Sequence, residues 1–119
     1  MPPSVVKSMV RAKSLRRIIL VTDAVSAASA SPGSYRLGDL EVVLAQDGHV
    51  AQPGTTNLAG SSLTMDVAVA NTVRFCGLGL EDVLPLATTQ PAKYLGIETA
   101  GQVEAEWDAG RCLLRMLNE

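Results

Sequence analysis

Histidine is nearly missing from this sequence: it occurs once in 119 residues, as His49, and cysteine occurs twice, as Cys76 and Cys112. Metal sites converge several ligating groups, so a lone imidazole beside the Asp47-Gly48 turn reads as a surface residue rather than a ligand. The two cysteines lack metal-ligand spacing and read as buried thiols rather than a disulfide. Clustered positive charge is also missing. Ten Lys and Arg residues are dispersed among twelve Asp and Glu, for a net charge of −2. With a pI near 5.3, there is no electrostatic reason to expect a nucleic-acid partner. No apolar run approaches the roughly 18 residues of a membrane helix, and no charged-then-apolar leader opens the chain. The expected setting is therefore cytoplasmic, with no membrane partner.

What is present suffices for a folded domain. Hydrophobic residues make up 47% and charged residues 18%, a balance that argues against disorder, and a domain of this size buries roughly two-thirds of its unfolded surface. Ile18, Ile19, Leu20 and Val21 form an unbroken apolar run rich in β-branched residues. Such a run predicts a strand covered on both faces, as in a parallel sheet. Thr22 and Asp23 follow directly. A carboxylate at the carboxyl end of a buried parallel strand lies where α/β folds gather their chemistry, which makes Asp23 the candidate catalytic residue. The competing reading is that Asp23 caps the next turn.

Upstream of that run, Ser4 as N-cap and Val5, Val6, Met9 and Val10 on one side predict a helix reaching about Lys13. Lys13, Arg16 and Arg17 then read as a solvated surface in preference to a phosphate site, because they precede the strand. Downstream, residues 24–33 read as a loop closed by Pro32-Gly33. Tyr35 to Leu37, Leu40 to Leu44 and His49-Val50, separated by Gly38-Asp39 and Asp47-Gly48, read as a small β-meander. Residues 52–60 read as a second loop leading into a helix that carries Met65, Val69, Val73 and Cys76 on one side and stops at Gly77. A short helix follows from Leu80 to Thr88, loosened or kinked by Pro85, then a further helical turn begun by Pro91 and ended by Gly96. Arg111 to Leu117 reads as a strand in preference to a terminal helix.

Four ordered blocks carry a resemblance. Leu20-Val-Thr-Asp-Ala24, Asp47-Gly48, Leu58-Ala-Gly-Ser-Ser-Leu-Thr-Met65 and Ala87-Thr-Thr-Gln-Pro-Ala-Lys-Tyr-Leu-Gly96 are together similar to the carboxyl-terminal part of an N-acetylglucosamine-6-phosphate deacetylase, in the amidohydrolase superfamily. The resemblance implies an α/β chain that is a carboxyl-terminal fragment of a (β/α)8 metal-dependent hydrolase barrel with a small β-meander. Residues 1–101 would form the barrel part and residues 102–119 the start of an accessory β-segment. It implies that Asp23 is the catalytic acid/base and that Leu58, Ala59 and Gly60 contact an amino-sugar phosphate. Read from the residues alone, the 58–62 stretch is an ordinary helix cap, and the resemblance reverses that preference.

In that family a divalent metal, zinc or similar, is held by a Glu and two His that precede the last barrel strand, and no equivalents occur in this chain. No metal ligand is therefore assigned here. The isolated chain is expected to be inactive and to associate, either as a homo-oligomer or with an upstream barrel chain. Another amidohydrolase is the runner-up among enzymes. From a different class, the alternative is a non-catalytic binding or assembly module.

Overall fold

The computed structural model describes residues 1–117, and among them it contains four α-helices and six β-strands. The chain divides into two units, one of residues Thr22–Thr64 and one of Met1–Val21 with Met65–Glu119.

The Thr22–Thr64 unit is an antiparallel meander of β1 (Gly33–Leu37), β2 (Leu40–Leu44), β3 (His49–Ala51) and β4 (Leu58–Ser61), hydrogen-bonded in that order. Turn chemistry explains the first two connections. Leu37 pairs with Leu40 across Gly38-Asp39, and Gly38 takes a φ of +60° that residues with a β-carbon seldom adopt. Gly48, at φ +85°, serves the β2–β3 turn in the same way, where the Ala45 amide donates to the His49 carbonyl. Alternation then selects the core: Val42 and Leu44 of β2 and Val50 of β3 are buried, and Ala27, from the segment before β1, closes over them at 0% exposure.

The expected loop from residue 52 to residue 60 is shorter than the sequence suggests. Leu58–Ser61 is a strand, because it pairs antiparallel with β3 through Ala51↔Leu58 and His49↔Ser61. The register shifts between those two pairs, so that Ala59 and Gly60 on β4 lie opposite a single residue of β3. This is a β-bulge, and bulges commonly re-aim a strand beside a functional site.

The second unit is mainly helical: α1 (Pro3–Ala12), a single 3-10 turn at Leu15–Arg17, α2 (Met65–Cys76), α3 (Leu80–Ala87), α4 (Thr89–Leu95) and a hairpin of β5 (Ala105–Asp108) with β6 (Leu113–Met116). Its core joins Val69 and Val73 of α2, Val83 and Leu86 of α3, and Leu114 of β6. The stops fall where the sequence places them. Gly77 takes φ +65° after α2 and Gly96 takes φ +67° after α4, and the Gly96 amide donates to carbonyls of Ala92 and Lys93. Pro85 sits inside α3, and Pro91 falls in the first turn of α4, where a missing amide costs no intrahelical bond. Between those prolines the helix breaks at Thr88 (φ −127°, ψ −85°).

Two local expectations are corrected. Ser4 is not the N-cap of α1: Pro2 holds that position, with Pro3 as the first helical residue. Residues 18–21 are extended but do not form a strand. Ile18 has φ −116° and ψ 132°, and the Leu20 amide donates to the Leu86 carbonyl at 2.9 Å, yet no strand among the described residues pairs with the segment. Ile18 and Leu20 pack on the helical core, while Ile19 and Val21 are exposed by 37% and 69%. The run is thus covered on one face. Among the described residues, no helix is long and apolar enough to cross a membrane.

Candidate functional site

The candidate site lies within the Thr22–Thr64 unit, where a sharp corner at Asp23 meets the bulged strand β4. Thr22 begins the corner by accepting a hydrogen bond from the Ala24 amide through Oγ1, at 3.2 Å. Asp23 itself stands at φ +53°, in the left-handed region. That region is unusual for residues with a side chain, and Asp is among the few that tolerate it. Backbone conformations of this kind cluster at active sites, where the surroundings hold them in place. The Asp23 carboxylate projects from an exposed residue.

Immediately after the corner, Ala24 forms a parallel bridge with Ser61, and the Val25 amide donates to the Ser61 carbonyl at 2.9 Å. The chain then curls through a turn in which the Ala28 amide donates to the Val25 carbonyl at 2.9 Å, and the buried Ala27 fixes it to the meander core. The residues that follow Asp23 are thereby tied to the strand that carries the 58–60 stretch, although 34 or more positions of sequence separate Asp23 from it.

Within that stretch the three residues differ. Leu58 is 70% exposed, Ala59 packs against the meander core, and Gly60 takes φ +132°. Helix α2 starts only at Met65, so Leu58, Ala59 and Gly60 are presented by a strand and not by the first turn of a helix. The Ser61 hydroxyl leads the chain out of β4 by accepting the Leu63 amide at 3.0 Å.

Other candidates stay at the surface. His49 Nδ1 lies 3.0 Å from Asp47 Oδ2, with both side chains about two-thirds exposed, and Asp47 Oδ1 also accepts the His49 amide at 3.1 Å. These bonds from His49 hold the Asp47 carboxyl below its ordinary range. Lys13, Arg16 and Arg17 are exposed. Cys76 and Cys112 are free, half-buried thiols, and burial pushes the Cys76 thiol up against the opposing influence of Lys7 and Arg11. Among the described residues, no group of three or more His, Cys, Asp or Glu side chains is placed to hold a metal ion. Val25, which sequence reasoning did not single out, lies against the α-carbon of Gly60 in the folded chain.

No family model matches the chain. Among curated proteins, it is 40% identical over 80 residues to the N-acetylglucosamine-6-phosphate deacetylase of Danio rerio, covering 67% of this chain and 20% of that one. It is 38% identical over 82 residues to the N-acetylgalactosamine-6-phosphate deacetylase of Escherichia coli O157:H7, covering 69% of this chain and 21% of the relative. Among solved structures, it superposes with a TM-score of 0.79 and 28% identity on an Asp-to-Ala mutant of the N-acetyl-D-glucosamine-6-phosphate deacetylase of Mycobacterium smegmatis, in complex with N-acetyl-D-glucosamine-6-phosphate. That alignment covers 96% of this chain and 32% of the solved one. This chain corresponds to a C-terminal part of the N-acetylglucosamine-6-phosphate deacetylases. It spans less than half the length of the curated deacetylases it matches, from 20% to 48%.

Proposed function

We propose that this chain supplies about the last third of an N-acetylglucosamine-6-phosphate deacetylase, the carboxyl-terminal part of its barrel included, with Asp23 as its acid/base. The observation that carries the reading is the corner itself: a carboxylate on a left-handed backbone, followed directly by Ala24, which bridges in parallel to the bulged strand that carries Leu58, Ala59 and Gly60. Hydrolysis of the N-acetyl amide requires a proton to leave the attacking water and a proton to reach the departing amine. An ionised Asp23 accepts the first as the water adds to the amide carbonyl. It returns the proton to the nitrogen as the carbon–nitrogen bond breaks, giving acetate and glucosamine 6-phosphate. Leu58, Ala59 and Gly60, on the strand to which Ala24 is bridged, would border the amino sugar.

The divalent metal implied by the family resemblance does not fit the residues present here. The single histidine is exposed and engaged with Asp47, and no triad of potential ligands converges among the described residues. The isolated chain accordingly has no turnover in this reading, and a metal would be held by the rest of the intact enzyme. The same reading places the 18–21 run among the barrel strands. It assigns residues 102–119, whose described part holds the β5–β6 hairpin, to the start of an accessory β-segment; residues 118 and 119 lie outside the described residues. It places the enzyme in the cytoplasm, either as an oligomer or paired with an upstream barrel chain.

The test is replacement of the matching segment of an active deacetylase by this chain. Retained hydrolysis of N-acetylglucosamine 6-phosphate supports the reading. A folded, metal-loaded chimera without turnover contradicts it and favours a binding or assembly module.

A further inference from the structure

We propose that Val25 is the positioning residue of Asp23: its side chain seats on the bare α-carbon of Gly60 and clamps the Asp23 corner to β4. The inference rests on the reading of Asp23 as the acid/base. Its physical basis is a close approach with no room to spare. A β-carbon built on Gly60 would overlap Val25 Cγ1 and stand 3.6 Å from its Cβ and 3.8 Å from its Cγ2. No other side chain comes as near to that point. Valine is suited to the task because branching at Cβ leaves it stiff about its one side-chain torsion. It cannot swing aside freely, since it also packs against the core formed by Ala27, Val42, Leu44 and Val50.

The clamp has a backbone half as well. The Val25 amide donates to the Ser61 carbonyl at 2.9 Å, and Ala24 bridges Ser61. Asp23 is thus followed by two residues tied to β4, one through backbone pairing and one through backbone and side chain together. The left-handed conformation at Asp23 is strained and persists only where neighbours over-determine it. Val25 on Gly60 is the neighbour that does so. The glycine also acquires a reason of its own: at φ +132°, with a valine methyl where its β-carbon would be, only glycine fits. Its role in the fold is close packing against Val25.

The test uses the full chain and NMR. A positive φ shortens the distance between a residue's own amide and α-protons, so Asp23 should show a strong intraresidue Overhauser effect in the unmodified protein. The Val25 amide should exchange slowly. In Val25→Ala that effect at Asp23 should fall to the level of ordinary extended residues, while the amides of Val42 and Val50 remain protected. Val25→Ile, which keeps the branch, should retain it. A Val25 that serves the core alone would lower the melting temperature and leave the Asp23 signature unchanged, which would overturn the proposal.

If Val25→Ala does not fold, Gly60→Ala probes the same contact from the other side, and an unchanged Asp23 signature there is equally contradictory. Gly60→Ala should lower the melting temperature by about 10 °C. It should lower it by less in a Val25→Ala background, where the obstructing methyl is gone and only the backbone strain at φ +132° is left. Strict additivity of the two substitutions would overturn the clamp. None of these readouts depends on turnover, so loss of the catalytic reading would leave them standing, and their failure would leave the chemistry of Asp23 to be judged by its own variant.

Discussion

The Leu20 amide donates to the Leu86 carbonyl at 2.9 Å, joining the extended 18–21 run to the last turn of α3. Leu86 is at 0% exposure in the helical core against which Ile18 and Leu20 pack, so its backbone and the core it belongs to both hold the run. Leu86→Ala should therefore destabilise the chain by about 2–5 kcal/mol, the range for emptying a packed leucine site. Leu84→Ala, on the same helix but 36% exposed, should cost much less. Denaturant melts of the two variants compare them directly, and equal losses would argue against this assignment of the core.

Self-association is the second expectation. Val21 at 69% exposure and Met9 at 56% leave apolar surface uncovered on the helical unit, and the 18–21 run has no strand neighbour among the described residues. Unpaired extended segments with apolar side chains are templates for another copy or another chain. Light scattering of the purified protein should report a dimer or larger species at micromolar concentration, and Val21→Lys should shift it toward the monomer. A well-folded monomer at that concentration would count against this expectation.

The Asp47–His49 pair carries a pH dependence of known sign. Bonds donated by the His49 backbone and side chain lower the Asp47 pKa from 3.8. A carboxylate depressed in the folded state contributes stability that is present above its unfolded pKa and is lost as pH falls through its folded pKa. Asp47 should thus titrate below 3.8 by NMR, and the acid side of the stability profile should flatten slightly in Asp47→Asn. A midpoint at or above the ordinary carboxylate value would contradict the pairing.

Much of the meander was legible because glycine marks its turns: Gly38 and Gly48 occupy positive-φ positions between runs of strand formers. The helix ends at Gly77 and Gly96 were legible for the same reason. Strand β4 was not, since Leu-Ala-Gly-Ser has little β propensity and becomes a strand only through its pairing with β3. The 18–21 run shows the opposite case, a strong strand sequence that lacks a neighbour to pair with. Ser4 lost the cap of α1 to the Pro2-Pro3 pair, a local competition that propensity alone ranks poorly. In the candidate site, Asp23 was singled out by its place after an apolar run. Val25 was not, because nothing in the spacing of a valine and a glycine 35 residues apart announces their contact.

The measurement that bears most directly on the central claim is turnover of N-acetylglucosamine 6-phosphate by the chimeric deacetylase carrying this segment, with and without Asp23→Asn. The amide is nearly isosteric with the carboxylate but cannot take up the proton. The account predicts that the variant folds, loads metal as its parent does, and loses on the order of a hundred- to ten-thousand-fold in kcat. Near-normal turnover by a folded, metal-loaded Asp23→Asn chimera would contradict it.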